Sequence, residues 1–346
     1  MTRWLAPLLL TLGALAGIAL GAEAPAPAVI APLAVRSLLL DVTLKPGGGL
    51  VAVGERGHIL LSADGTAWMQ APAPARSNLT SVRFADPSHG VAVGHDEVIL
   101  ATKDGGASWQ LAHFAPERQQ PLLALAFTDE RHGVAVGAFA SVYATEDGGA
   151  TWVAREFEPR SLASAKAVKA PAKGGKPSSE AMREDEGITQ PHLNAIARAA
   201  DGTLYLAAEA GRLYRSGDGG TSWQELPSPY EGSFFGLLPL DGTSVLVFGL
   251  RGHLYRSDDK GQSWRALESH TTALLAGGTR LGDGAIVIAG LAGTVLLSED
   301  GGATFTLHQE ADRKGFDAVA PAGDGVVLVG EAGVRALSRA TLKGGH

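Results

Sequence analysis

Cysteine is absent from this 346-residue chain, which excludes disulfides, thiolate metal centres and a lipid anchor on a lipobox cysteine. An excess of basic residues is absent too: 36 acidic against 29 basic side chains give a net charge of -7, and no basic stripe is interleaved with aromatics. Nucleic-acid binding rests on phosphate neutralisation, so no nucleic-acid partner is expected. The ten histidines show no His-Glu-x-x-His or comparable ligand spacing, so neither a metal nor a cofactor is expected. Gly277-Gly278 and Gly301-Gly302 precede strands rather than a helix, which removes the helix-capped phosphate cradle.

Long hydrophobic runs are missing except at the N-terminus, where Arg3 precedes an apolar stretch from Trp4 to Leu20 and small residues follow at Gly21, Ala22 and Ala24. Those three parts make a signal peptide over residues 1–24, cut somewhere between 21 and 28. Pro7 and Gly13 interrupt the run, so it reads as a removed leader rather than an anchor. The mature chain is then exported without a membrane span. A periplasmic location is the first expectation and secretion the second.

What the chain has in abundance is one phrase. Ser/Thr-x-Asp-x-Gly-x-Ser/Thr-Trp recurs from Thr102 to Trp109, Thr145 to Trp152, Ser216 to Trp223, Ser257 to Trp264 and Ser298 to Phe305, with a copy one residue shorter from Ser62 to Trp68. The aspartates Asp64, Asp104, Asp147, Asp218, Asp259 and Asp300 are separated by steps of 40, 43, 71, 41 and 41. A period near 40 with four short strand signals per unit is the mark of a β-propeller. Such an Asp-box (BNR) turn needs no ligand: the carboxylate accepts nearby backbone N–H groups and glycine supplies positive φ. Trp109, Trp152, Trp223 and Trp264 then pack against a neighbouring repeat.

First-strand patterns recur at Leu38 to Leu44, Leu79 to Phe84, Leu122 to Phe127, Leu193 to Arg198, Phe234 to Leu238, Thr272 to Ala276 and Phe316 to Ala320. The expectation is therefore all-β: a seven-bladed propeller over residues 29–343, of four-stranded antiparallel blades. The seventh repeat stops after Leu337 with no box and no Trp strand. An open edge strand is a liability, and the apolar segment Val29 to Val35 is expected to close the ring by adding the missing strand. The long step after Asp147 marks an insertion over residues 159–191, rich in Ala, Lys, Pro, Gly and Ser, which reads as a flexible excursion.

In an up-and-down blade the box turns share one face of the disc with the loops between strands one and two. The opposite face collects the loops between strands two and three, which vary from blade to blade, as a binding surface would. Arg56, His95, Asp96, Phe139 and Arg251 are the candidate partner-binding residues there, with Phe139 as an aromatic anchor. The rival reading is a sialidase-like or other glycoside-cleaving or carbohydrate-binding propeller, with Glu55, Asp96 and Glu209 as carboxylates across the channel. The sialidase Arg-Ile-Pro element is missing. Of five tyrosines, four lie in repeat strands and only Tyr230 is left in a loop, beside Glu231. No catalytic residue is assigned.

The run Leu122-Leu123-Ala124-Leu125-Ala126-Phe127-Thr128-Asp129-Glu130-Arg131-His132-Gly133-Val134-Ala135-Val136-Gly137, followed by Thr145-Glu146-Asp147-Gly148-Gly149-Ala150-Thr151-Trp152, resembles the repeat of the plant and cyanobacterial photosystem II stability and assembly factors. The second repeat is similar, and the resemblance covers most of the mature chain. It implies a seven-bladed propeller that binds a partner protein and assists assembly of a membrane complex. The family also has members in non-photosynthetic bacteria, some near export-pump components. The expectation is thus a non-enzymatic scaffold for an envelope or membrane protein complex.

Overall fold

The computed structural model describes residues 24–162 and 190–344. The expected signal peptide and the centre of the expected insertion lie outside these residues. Twenty-seven strands, β1 to β27 in chain order, form seven antiparallel sheets among the described residues. Blade 1 sets the pattern as a meander of β1 (Leu39–Leu44), β2 (Leu50–Gly54), β3 (Ile59–Ser62) and β4 (Met69–Ala71). Five further blades repeat it, with first strands starting at Leu79, Leu122, Leu193, Phe234 and Leu275.

The second strands are buried at every residue, because each is covered on both sides by neighbouring blades. They end at Gly54, Gly94, Gly137, Ala208, Gly249, Gly290 and Gly330. A Cβ at Gly54 would sit 2.2 Å from the Leu38 carbonyl, so the close approach of the first strand favours glycine there. In blade 6 the first strand is β21 (Leu275–Arg280), three residues later than the pattern from Thr272 suggests. Gly277 and Gly278 belong inside it. A Cβ at Gly277 would come within 2.8 Å of the Ala318 Cα, and one at Gly278 within 2.9 Å of the Phe248 ring.

The core is divided among the gaps between blades rather than gathered in one place. Trp223, for example, is buried with Val134 and Val136 of blade 3 and Leu204 and Leu206 of its own blade. Five full-length boxes repeat one hydrogen-bond scheme. In blade 2, Ser108 donates N–H and Oγ to Asp104 at 2.9 and 2.6 Å, and Thr102 Oγ1 donates to it at 2.8 Å. These bonds hold the Asp104 and Asp259 carboxyls down at about 2, the serine at the end of each turn making the largest contribution. In blades 2 and 3 the Trp109 and Trp152 Nε1 groups also donate to the Gly106 and Gly149 carbonyls, whereas Trp264 donates to the Pro227 carbonyl.

Ring closure departs from expectation. The seventh sheet has three strands, β25 (Phe316–Ala322), β26 (Gly325–Gly330) and β27 (Gly333–Leu337), and Val29 to Val35 adds no fourth. Blade 1 captures that segment first: Ala28 N–H donates to the Ala73 carbonyl, while the Gln70 amide donates to Val29 O and accepts from Ala31 N–H. Pro32 lacks a donor, and Ala34–Arg36 then coil into a 3₁₀ turn, so no extended ladder can form. The ring instead closes by packing Ala34, Leu39, Val42, Leu50 and Ala52 against Ala318, Val327 and Val329.

A short helix α1 (Arg339–Lys343) replaces the seventh box. Ser338 caps it by accepting the Thr341 N–H, and Leu342, 2% exposed, fills the gap between blades 6 and 7 beside Leu297 and Leu337. A buried leucine there does the work of the boxes' aromatic, worth roughly 2 kcal/mol.

Candidate partner-binding face

Each first strand begins opposite the end of the second, so the strand starts, the two-to-three loops and the blade links all lie on one face. The loops are short 3₁₀ turns at Glu55–Gly57, His95–Glu97, Ala138–Ala140, Glu209–Gly211 and Leu250–Gly252. The middle residue of each is left-handed: Arg56, Asp96, Phe139, Ala210 and Arg251, joined by Ala292 in blade 6. Four of the five candidate residues therefore stand at turn apices, and His95 is the exposed residue just before one.

Their surroundings differ. Arg56 and Arg251 are exposed. Asp96 is committed to the link between blades 1 and 2, where it accepts a hydrogen bond from Ser77 Oγ at 2.6 Å. Phe139 is 49% exposed, and its ring meets His192 edge-on with centroids 5.0 Å apart. Glu55 and Glu209 spend an oxygen on the Leu38 and His192 backbone N–H groups. The three carboxylates considered for glycoside chemistry thus all accept hydrogen bonds that shape the face.

The structure adds residues that the sequence reading missed. Every first strand carries a register shift after its first residue, which leaves one bulged residue per blade: Leu40, Thr80, Leu123, Asn194, Phe235, Ala276 and Asp317. A bulge re-aims a side chain, and all seven line the central channel, a cavity of about 740 Å³. Two are tied to the next blade, Thr80 Oγ1 to Leu122 O and Asn194 Nδ2 to Phe234 O. Leu40, Leu123, Ala276 and the 37%-exposed Phe235 make the rest of the ring largely apolar. Burial, and after it the charge of Glu331, pushes the Asp317 carboxyl up to about 6. The only sequence signal was a mismatch: the second residue of each first strand varies between polar and apolar where strict alternation would fix it.

Deeper in the channel Asp41 is buried and fully used. It accepts from Ser81 Oγ, the Val82 N–H and Arg83 at 2.9, 2.9 and 2.5 Å, which ties blade 1 to blade 2.

Blade 2 holds a further unexpected group. Glu97 occupies a left-handed position that is glycine in blades 1, 4, 5 and 6, and its side chain is fully buried. Tyr143 Oη donates to its Oε2 at 2.7 Å, Arg118 Nε lies 3.5 Å from Oε1 and His113 Nε2 lies 3.6 Å from Oε2. Burial and then this hydrogen bond push the Tyr143 hydroxyl up to about 12. The cluster joins the two blades beneath Asp96 and Phe139.

Comparison with known proteins gives one reading. Photosystem II stability/assembly factor HCF136 (chloroplastic) of Cyanidioschyzon merolae is 37% identical over 86 residues, which is 24% of this chain and 19% of that protein's length. A solved structure of YCF48 bound to D1 peptide is 18% identical, covers 90% of this chain and 98% of that one, and has a TM-score of 0.63. YCF48 from Cyanidioschyzon merolae is likewise 18% identical, with 89% and 97% covered and a TM-score of 0.64. The WD40 propeller domain of Doa1 reaches 0.65 at 13% identity, with 92% and 97% covered, so these likenesses establish the propeller fold. The model of the photosynthesis system II assembly factor YCF48 family matches residues 60–120 and 114–287, more than half of the chain, and the chain belongs to that family.

Proposed function

We propose that this propeller is a non-enzymatic, exported scaffold that holds a segment of a membrane-complex protein on its variable face and so assists assembly of that complex in the envelope. The observation that carries the reading is Phe139, an aromatic at a strained left-handed apex, half exposed and braced by His192 at the channel mouth. Exposed aromatics beside an apolar ring are what a partner's side chains bury best. A family relative whose structure was solved with a D1 peptide supports a membrane protein as the partner class. The commitment of Glu55, Asp96 and Glu209 to backbone and hydroxyl donors favours this over glycoside cleavage.

Export and a periplasmic location rest on the N-terminal sequence alone. Fractionation and N-terminal sequencing of the mature protein test them, with a start between residues 22 and 29 expected. The partner reading is tested by crosslinking the tagged protein in intact cells, followed by mass spectrometry, beside Phe139→Ala. One envelope complex should be recovered. The substitution should weaken its capture about tenfold, the loss of a hot spot worth 1–2 kcal/mol. Equal recovery with Phe139→Ala moves the contact elsewhere, and turnover of a glycoside by the purified protein would overturn the reading.

A further inference from the structure

The outer rim of blade 7 has no fourth strand among the described residues. In blade 1 the Gly54 N–H donates to the His58 carbonyl, which fixes the residues of β2 that bond to β3. Gly330 holds the same place in blade 7, opposite Gly333. Alternation along the antiparallel ladder then makes Gly333, Arg335 and Leu337 bond inward, while Val334 and Ala336 turn N–H and C=O outward. Among the described residues no hydrogen bond reaches those four groups. In the other six blades the matching groups pair with a fourth strand of three or four residues.

What completes a blade elsewhere is split here. The interblade anchor is already supplied by Leu342, so only the strand itself is missing. The chain adds extended backbone to its own outer rims twice, with Ala28 N–H on Ala73 O in blade 1 and Arg160 bridged in parallel to Gln224 in blade 4. The segment leading to the Ala34–Arg36 turn, which packs on β27, leaves Val29, Ile30 and Leu33 57–63% exposed, while Ala31, Val35 and Val334 all pack against the core between blades 7 and 1. Three exposed large apolar residues within five positions make an apolar ledge on the segment that leads to that turn.

Charge selects the occupant. The only charged side chain on β27 is Arg335, and it is neutralised by Glu310 and Asp312. β27 itself offers a charged strand no free counter-ion, and the exposed Arg36 stands only at its Gly333 end. A second copy fits poorly, because antiparallel self-pairing centres on Arg335 and drives the helix after Ser338 of one copy into the Ala34–Arg36 turn of the other.

We infer that β27 accepts an uncharged, proline-free extended segment of a partner protein as the fourth strand of blade 7, with its apolar side chains on Val334, Ala336 and the Val29–Leu33 ledge. This rests on the propeller being a protein-binding scaffold but not on the variable face. Main-chain pairing supplies affinity in such strand addition, and alternate side chains supply specificity.

The test selects binders to the full chain from a displayed random decapeptide library and follows backbone amide exchange. Selected peptides should slow the Val334 and Ala336 amides about tenfold or more, with Arg335 and Leu337 unchanged because they are already in the ladder. Ala336→Pro deletes only an outward donor, so it should keep the thermal midpoint and abolish peptide binding. If that variant fails to fold, Ala336→Lys keeps the backbone, charges the edge and should abolish binding as well. No enriched peptide, protection confined to residues 138–140, or unchanged binding by a folded Ala336 variant overturns the inference. Protection confined to 138–140 would still leave the variable-face reading standing.

Discussion

Replacing Asp317 by Asn should stabilise the protein at neutral pH and do nothing in acid. The carboxyl sits on the bulged second residue of β25 in the channel wall, largely desolvated, with Glu331 as its charged neighbour. Burial and then Glu331 raise its pKa from 3.8 to about 6. A folded-state pKa above the unfolded value means that folding is favoured by the neutral acid. That stability is complete below pH ~4 and is lost as pH rises through 6. A shift of about two units corresponds to roughly 3 kcal/mol, so Asp317→Asn should gain about 2–3 kcal/mol at pH 8 and close to nothing at pH 3.5. Urea unfolding of both proteins at each pH reads the difference, and Glu331→Gln should recover a smaller part of the gain at pH 8. A gain equal at both values would refute the reasoning, since it would come from packing rather than from ionisation.

Glu97→Gly should relieve a left-handed glutamate, worth about 1 kcal/mol, but leave the buried Tyr143 hydroxyl without its acceptor, at about 1–3 kcal/mol. A net loss of about 1 kcal/mol in urea unfolding is expected, with Glu97→Ala worse because the strain stays. Asp104→Asn should cost about 1 kcal/mol above pH 4, after screening at this exposed turn. Because the Asp104 carboxyl is held down at about 2, that contribution is present above the unfolded value near 4 and fades as pH falls through 2. Wild type and variant should therefore converge in stability in acid, which thermal melts at pH 2 and pH 6 will show.

Much of this architecture was legible because it repeats. Six boxes, 40–43 residues apart except across the insertion, and second strands that end in glycine or alanine, locate the start of each first strand to within a residue except at Leu275. There the two glycines hid a strand whose reason for glycine is a neighbour's backbone and Phe248, neither visible in a local pattern. The latch misled for a related cause: Val29 to Val35 is apolar enough to be a strand, but which edge it meets is decided by Gln70 and Pro32. The candidate face was half legible. Loop variation pointed to Arg56, Asp96, Phe139 and Arg251, whereas the bulged ring from Leu40 to Asp317 depends on a register shift that no residue type announces.

The turns of the variable face argue for which blades matter. The residue after each apex is also left-handed, and in blades 1, 4 and 5 it is glycine for a steric reason. A Cβ there would come within 2.1 Å of Ala75 O, 1.9 Å of Tyr230 O or 2.0 Å of Thr271 O, all carbonyls of the following blade link. At the apex residue a side chain is tolerated, and the chain carries Arg, Asp, Phe, Ala, Arg and Ala there, at about 1 kcal/mol of backbone strain apiece. Blades 2 and 3 go further and replace the second glycine by Glu97 and Ala140. Their links are the exceptional ones: the Pro116–Arg118 turn leads to Gln120, whose carbonyl accepts the Glu97 N–H, and the long insertion returns at Pro191, whose carbonyl accepts the Ala140 N–H. Where these longer links run, the second left-handed position carries a side chain instead: Glu97 with its buried cluster in blade 2 and Ala140, next to Phe139, in blade 3. Strain tolerated twice in adjacent blades, with Phe139 at one apex and His192 beside it, makes blades 2 and 3 the first place to test the proposed partner contact.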